Sequence, residues 1–173
     1  MRYTLDYEKY ASLARQAAAE GCVLLRNEEE ALPIRDGERV SVFGRAQFHY
    51  YKSGTGSGGM VNVPYVSSIP DSLRENGVRI EESSQKRYRE WLKENPFDAG
   101  AGWAQEPWSQ KEMPVSRAMA EEAAAVSDLA LVILGRTAGE DNDNSETPGS
   151  YLLTREEESL LETVCSVFRR TAV

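Results

Sequence analysis

The chain has 173 residues, which suits one domain, and its 40% apolar content is sufficient for a hydrophobic core. Its net charge of −8 argues against nucleic-acid binding, because phosphate recognition requires a basic surface. The chain contains no run of about 18 apolar residues, so no membrane span is predicted. Residues 1–20 lack the apolar segment of a signal peptide, which favours a cytoplasmic location.

Cysteine and histidine content limits the chemistry further. Cys22 and Cys165 lie far apart in apolar stretches, which predicts two reduced thiols in the core. His49 is the single histidine, so a histidine-based metal cluster is excluded and a Ser-His-Asp triad would depend on that residue. We therefore expect neither a metal nor a cofactor.

The first half of the chain alternates helical and extended patterns. Apolar residues at helical spacing predict a helix over 7–18 that stops at Gly21. The following elements are a strand over 39–44, a glycine-rich loop over 50–62, a helix over 69–76 that stops at Gly77, and a strand over 78–80.

The second half begins with a less regular region. Residues 83–116 contain a short helical pattern and then prolines, glycines and two tryptophans, which indicates an inserted loop. Ser116 predicts the start of a helix that runs to Val126. Residues 129–134 form a continuous apolar strand, 135–150 a polar loop, and Thr154 begins a capping box before another helix. A last strand starts at Thr171.

This alternation predicts an α/β fold, a three-layer αβα sandwich with a mainly parallel, flavodoxin-like sheet. Ligands of such sheets bind beyond the carboxyl ends of the strands. Two long polar loops occupy that position, one after Gly44 and one after Leu134. We expect them to emerge at the same edge of the sheet and to carry the function.

Two motifs in these loops match known ligand sites only superficially. Gly54, Gly56 and Gly59 fit the dinucleotide pattern G-x-G-x-x-G, but they begin about ten residues after the strand and no helix start follows, which disfavours a nucleotide site. Asp141, Asp143 and Ser145 resemble the start of a calcium loop. Its sixth and twelfth positions, Glu146 and Leu152, are wrong for that ion.

Two further features have alternative interpretations. Glu140 follows the most apolar strand and suits general acid–base chemistry if a pocket raises its pKa, although an acidic loop is more often simply solvated. The three tryptophans could stack on sugar rings, but core or lid packing is favoured.

Four segments together carry a resemblance to the second, α/β sandwich domain of family 3 glycoside hydrolases. They occur in the family's order and span nearly the whole chain: A-A-A-E-G-C-V-L-L-R-N-E (17–28), V-S-V-F-G (40–44), K-S-G-T-G-S-G (52–58), and G-R-T-A-G-E-D-N-D-N (135–144) followed by P-G-S-Y-L-L-T (148–154).

The resemblance implies roles for particular residues. A barrel domain of the family supplies an aspartate nucleophile, and in many members the sandwich domain lends a glutamate as general acid/base, which matches Glu140. The glycine loop resembles the one that borders the sugar pocket, so the expected substrate-binding residues are Lys52, Gly54, Thr55, Gly56 and Ser57. Many members have Asp-Arg where this chain has Asp143-Asn144, which weakens any prediction of a cationic contact there.

The resemblance also bears on domain organisation. The family usually places the barrel first, whereas sandwich motifs here begin within twenty residues of Met1, as in members with reversed domain order. A strand that starts at Thr171 cannot be completed in three residues. We therefore expect residues 1–173 to be an incomplete sandwich domain whose partner is the absent barrel domain of the same polypeptide.

The resulting expectation is a retaining β-glycosidase, most commonly a β-glucosidase in this family, that releases terminal β-linked sugars from oligosaccharides or glycosides. The chain alone would be inactive because it lacks the nucleophile. One alternative is a non-catalytic carbohydrate-binding or scaffold domain of the same fold. Another is a flavodoxin-like binder of a small molecule, which the poor phosphate-loop context disfavours.

Overall fold

The computed structural model describes residues 4–48, 56–137, 140 and 143–173. These residues fall into two compact units, one on each side of the boundary between Leu32 and Pro33. Among them, no helix is both long and apolar enough to cross a membrane. Three of the predicted sugar-contacting residues, Lys52, Gly54 and Thr55, and the single histidine, His49, lie outside the described residues.

The first unit is dominated by the predicted amphipathic helix, α1 (Tyr7–Glu20). The Asp6 carboxylate caps it by accepting a hydrogen bond from the Lys9 backbone N–H, and the helix ends at Gly21 as predicted. A short 3-10 turn follows at Glu28–Glu30. The apolar side chains of α1 are exposed, including Tyr7, Tyr10 and Leu13.

The second unit contains a parallel sheet with the order β2-β1-β3-β4. Its strands are β1 (Arg39–Phe43), β2 (Arg79–Ile80), β3 (Leu129–Val132) and β4 (Thr171–Ala172). Val40 pairs with Leu129 and Phe43 with Val132, so β1 and β3 run in register as the two central strands. This order is that of a flavodoxin-like sheet and confirms the predicted fold class.

Four helices connect the strands: α2 (Ile69–Glu75), α3 (Glu82–Glu94), α4 (Arg117–Ala124) and α5 (Arg155–Val167). Ser116 and Thr154 cap α4 and α5 as predicted. By contrast, α3 has 13 residues and is longer than the short helix expected there. The helix begins before Ser83 and Ser84, and the Glu81 carboxylate caps it by accepting the Ser84 N–H at 2.9 Å.

The main core lies between one face of the sheet and the helices α3, α4 and α5. From the sheet it includes Phe43, Ala130 and Val132, and from the helices Tyr88, Met119, Ala120, Leu160 and Val164. The alternate strand residues Val40, Val42 and Leu129 are fully buried on the other face. A helix that connects two parallel strands forms a right-handed crossover. Because α2 connects β1 to β2 and contacts β2, it lies over that second face and completes the three layers.

Two sequence expectations are corrected by the structure. Both cysteines are unpaired, but they are exposed and do not lie in the core. Cys165 lies on α5 outside the buried stripe formed by Glu157, Leu160 and Val164, and Cys22 follows the end of α1. The region predicted as an inserted loop also contributes to the core, since Met113 and Val115 are buried. Of its tryptophans, Trp103 stays 55% exposed.

Candidate active site

The carboxyl ends of β1 and β3 meet at one edge of the sheet. The Ile133 N–H donates to the Phe43 carbonyl at 2.9 Å, which continues the ladder just beyond both strands. Gly44 then turns the chain with a φ of +91°, and a Cβ built there would lie 2.1 Å from the Ile133 carbonyl oxygen. Only glycine fits at this position. The close approach of Gly44 and Ile133 places the starts of the two polar loops side by side.

A buried polar cluster fixes the start of the first loop. The Gly44 N–H donates to the Tyr88 hydroxyl at 2.8 Å, and the Glu112 carboxylate accepts the Arg45 N–H at 2.9 Å and the Met113 N–H at 2.8 Å. Burial raises the pKa of Glu112, and burial together with the charge of Glu112 raises the pKa of Tyr88 well above its usual value. The backbone N–H groups of Gly44, Arg45 and Met113 thus all have buried hydrogen-bond acceptors.

Side-chain contacts of Arg45 and Gln47 extend this support. The Arg45 guanidinium donates to the Lys111 carbonyl at 2.7 Å and the Asn95 carbonyl at 3.1 Å, and its carbon lies 5.4 Å from the centroid of Trp91. Gln47 donates to the Gly44 carbonyl at 2.8 Å. The first turn after β1 is thus bound to the segment that follows α3, a role that no sequence motif indicated.

The two loops come together at Glu140. Its Oε2 accepts two hydrogen bonds from Ser57, one from the backbone N–H at 3.1 Å and one from the hydroxyl at 2.9 Å. The two residues are 83 positions apart in sequence. The glycine-rich loop over 50–62 and the polar loop over 135–150, called the acidic loop from here on, therefore come together as predicted in their described residues.

Gly56 makes this close approach possible. It is buried, has a φ of +73°, and leaves no room for a side chain, since a Cβ there would lie 2.7 Å from the Glu140 Cβ and 2.8 Å from its Oε2. The predicted residues Gly56 and Ser57 therefore contact the candidate acid/base itself.

The electrostatic setting of Glu140 favours the ionised form. The backbone and hydroxyl hydrogen bonds from Ser57 lower the pKa of Glu140, and burial opposes them only weakly because the side chain is exposed. A carboxylate in this state can accept a proton. To act as an acid it needs a further influence that raises its pKa, such as a second negative charge nearby.

Arg136 anchors the second loop. Its guanidinium donates to both carboxylate oxygens of Glu157 on α5, at 2.6 and 2.7 Å, and its Nε donates to the Ser150 carbonyl at 2.7 Å. Glu157 also accepts the Thr154 N–H at 2.8 Å in the capping box. Both ends of the acidic loop are thereby joined to the first turn of α5. Sequence reasoning missed Arg136 although it lies inside the G-R-T-A-G-E segment.

Other possible sites carry less weight. Within the part of the chain that the structure describes, no group of three or more His, Cys, Asp or Glu side chains could hold a metal. A cleft of about 490 Å³ lies at the opposite, amino edge of the sheet, with Arg39, Arg74 and Arg79 among its lining residues. Arg74 is paired there with Glu82 at 2.9 Å, so the cleft offers mixed charge and no focused site.

Comparison with known proteins identifies the relationship that this geometry suggests. Residues 22–173 match the description "Glycosyl hydrolase family 3 C-terminal domain". The chain belongs to this family. A curated β-glucosidase of Ruminococcus albus is 47% identical over 169 residues, which cover 98% of this chain and 18% of the relative.

Solved structures of the family agree with the fold. A β-glucosidase from Paenibacillus barengoltzii superposes with a TM-score of 0.92 at 54% identity, over 99% of this chain and 18% of that one. β-Glucosidase 3B from Thermotoga neapolitana, solved in complex with α-D-glucose, gives a TM-score of 0.81 at 31% identity, over 95% of this chain and 23% of that one. The chain thus spans about a fifth of the length of these family 3 relatives.

Proposed function

We propose that this chain is the acid/base-contributing domain of a retaining β-glucosidase. The observation that carries the proposal is the direct contact between Ser57 of the glycine loop and the Glu140 carboxylate at the carboxyl edge of the parallel sheet. That edge is where α/β sheets bind ligands. Support for the substrate class comes from the relatives, which are β-glucosidases, one of them in complex with glucose.

In the proposed reaction, an aspartate of a separate barrel domain attacks the anomeric carbon while protonated Glu140 gives its proton to the departing oxygen. A covalent glycosyl-enzyme results. Glu140, now ionised, then takes a proton from water, which attacks the anomeric carbon and releases the sugar with retained configuration. This chemistry places the two carboxyl groups about 5–5.5 Å apart.

The lowered pKa of Glu140 in this domain is consistent with a division of labour between the two domains. Ser57 favours the ionised form that the second step requires. A nucleophile carboxylate about 5 Å away would raise the pKa of Glu140 before the first step, because two negative charges repel. Once the nucleophile becomes an ester, that repulsion ends and Glu140 returns to its base form.

This division implies that the chain without a barrel domain is inactive. General acid–base help alone accounts for about 10²–10⁴-fold of an enzyme's acceleration, which leaves most of it to the nucleophile and to substrate positioning. We expect no hydrolysis of aryl β-glucosides by the purified 173-residue chain. Turnover by rigorously pure chain would contradict the two-domain mechanism.

The test of the Glu140 role is Glu140→Ala in the protein that joins this chain to its barrel. Substrates with poor leaving groups should lose most kcat/KM, up to about 10²–10⁴-fold, because they need protonation. Activated aryl glucosides should still form the glycosyl-enzyme, show a burst, and turn over faster with added azide, which gives a β-glucosyl azide. The matched control is Glu146→Ala, an exposed carboxylate of the same loop.

An equal loss on all substrates without azide rescue would remove Glu140 from the reaction. The rival function, a non-catalytic sugar-binding domain of the same fold, predicts a different result. A protein of that kind would bind glucose in calorimetry, and neither Glu140→Ala nor Glu146→Ala would change any rate, since there would be none to change.

A further inference from the structure

Ser57 was expected to contact substrate, yet its donors in this structure point to a different partner. Both its backbone N–H and its hydroxyl donate to Oε2 of Glu140, at 3.1 and 2.9 Å. A hydroxyl that makes this bond uses its only proton for it. The proton is therefore not available to donate to a sugar.

We propose that Ser57 is a positioning residue that holds Oε2 of Glu140 through two donors and leaves Oε1 to exchange the catalytic proton. This inference rests on the proposed acid/base role of Glu140. Among the described residues, none donates a hydrogen bond to Oε1, whereas Oε2 receives two. The two oxygens of the carboxylate are thus inequivalent, and only one of them is suited to face the leaving group.

The contact can persist through both steps of the reaction. When Oε1 carries the proton, Oε2 is a carbonyl-type oxygen and still accepts both bonds. When Glu140 is ionised, the same bonds become charge-assisted and stronger. Ser57 therefore keeps the carboxyl group in one orientation and at the same time favours its ionised form.

Gly56 adds a steric boundary to this arrangement. A Cβ on Gly56 would collide with the Cβ and Oε2 of Glu140. The Glu140 side chain therefore packs directly against the backbone of Gly56, the residue before Ser57. Hydrogen bonds from one side and backbone contact from the same side define a seat for Glu140, which we call the Gly56–Ser57 seat.

The hydrogen bonds from Ser57 affect the pKa of Glu140 as well as its orientation. The causes of its lowered pKa are the two Ser57 bonds, with burial acting in the opposite direction. Removal of the Ser57 hydroxyl should therefore raise the pKa of Glu140, and the surviving backbone N–H bond should limit the change.

The experiment is a pH profile of kcat/KM in the protein that joins this chain to its barrel, for Ser57→Ala, Ser57→Thr and the parent. In kcat/KM the alkaline limb reports the pKa of the general acid in the free enzyme. For Ser57→Ala we expect this limb to move to higher pH, with a loss of maximal kcat/KM smaller than the roughly 10²–10⁴-fold contribution of the acid/base itself. Ser57→Thr keeps a hydroxyl and should keep the limb near its parent position.

The matched control is Ser166→Ala, which removes a hydroxyl that donates to the Thr163 carbonyl at 2.9 Å on α5. It should leave both limbs unchanged. An unmoved alkaline limb in Ser57→Ala, with only KM raised, would show that Ser57 binds substrate and would overturn the positioning role. A threonine variant that behaves like the alanine variant would also count against the hydroxyl.

Failure of this inference can be told apart from failure of the proposed function. If Glu140→Ala shows the selective loss on poor leaving groups and azide rescue while Ser57→Ala leaves the pH profile in place, the acid/base role stands and the Gly56–Ser57 seat does not. If Glu140→Ala lacks that signature, both proposals fall together.

Discussion

Arg136 and Glu157 form a two-pronged ion pair between the acidic loop and the first turn of α5, with N–O distances of 2.6 and 2.7 Å. The Glu157 side chain is only 5% exposed and that of Arg136 24% exposed. Because Glu157 also accepts the Thr154 N–H, the same carboxylate caps α5 and anchors the loop that carries Glu140. The start of α5 and the acidic loop are therefore held by the same carboxylate.

Arg136→Ala should destabilise the fold. It leaves the buried Glu157 carboxylate without its cation, and removal of one partner of a buried pair costs about 3–5 kcal/mol. Because Arg136 is partly exposed, we expect the lower end, about 3 kcal/mol. Urea unfolding of the 173-residue chain measures this free energy. Arg155→Ala, an exposed arginine at the start of α5, should change it by less than about 0.5 kcal/mol.

Tyr88→Phe should lower the free energy of unfolding, because the Tyr88 hydroxyl is the buried acceptor of the Gly44 N–H. The substitution keeps the ring in the core but leaves the Gly44 N–H without the hydroxyl to which it donates. An unsatisfied buried donor costs about 1–3 kcal/mol. The control is Tyr151→Phe, because the Tyr151 side chain is 77% exposed. Equal unfolding free energies for the two variants would refute the importance of the Gly44–Tyr88 bond.

The same tyrosine predicts a pH dependence. The pKa of Tyr88 is raised in the folded state, mainly by burial, above its unfolded value of about 10. Above pH ~10 the unfolded chain releases this proton while the folded chain retains it, so stability falls as pH rises. The stabilisation is complete below that pH. The unfolding free energy of Tyr88→Phe should therefore fall less steeply between pH 9 and 11 than that of the parent or of Tyr151→Phe.

Local signals were sufficient for much of the fold. The apolar runs at Val40–Phe43 and Leu129–Val132, the caps at Ser116 and Thr154, and the stops at Gly21 and Gly77 all act within a few residues, so the pattern of the chain predicts them. The capping at Glu81 was not recognised, because glutamate is an uncommon cap.

The supports of the candidate site were not predictable in this way. Tyr88 lies 44 positions from Gly44 and Glu112 lies 67 positions from Arg45. Contacts at such separations depend on how α3 and the segment before α4 pack on the sheet, which periodicity does not specify. The cysteines illustrate the converse, since an apolar neighbourhood in sequence did not place Cys165 on the buried face of α5.

The Gly56–Ser57 seat makes a prediction of its own, for Gly56→Ala. A methyl group at this position would lie 2.7 Å from the Glu140 Cβ, closer than real contacts allow, so Glu140 must move. Gly77→Ala is the matched control, because Gly77 has nearly the same φ, +76° against +73°, and nothing within 4 Å of an added Cβ. Both variants bear the left-handed backbone cost of about 1–2 kcal/mol, and only Gly56→Ala disturbs the carboxylate.

The measurement is kcat/KM on aryl β-glucosides of graded leaving-group pKa, in a protein that joins this chain to the barrel domain of the proposed function. Gly56→Ala should lose more activity on poor leaving groups than on activated ones, because a displaced Glu140 protonates the departing oxygen badly. Gly77→Ala should retain the parent's dependence on leaving-group pKa while it melts at a similarly reduced temperature. If the two alanine variants share one leaving-group dependence, the contact of Gly56 with Glu140 has no bearing on the proton transfer, since their common backbone strain would then account for everything observed.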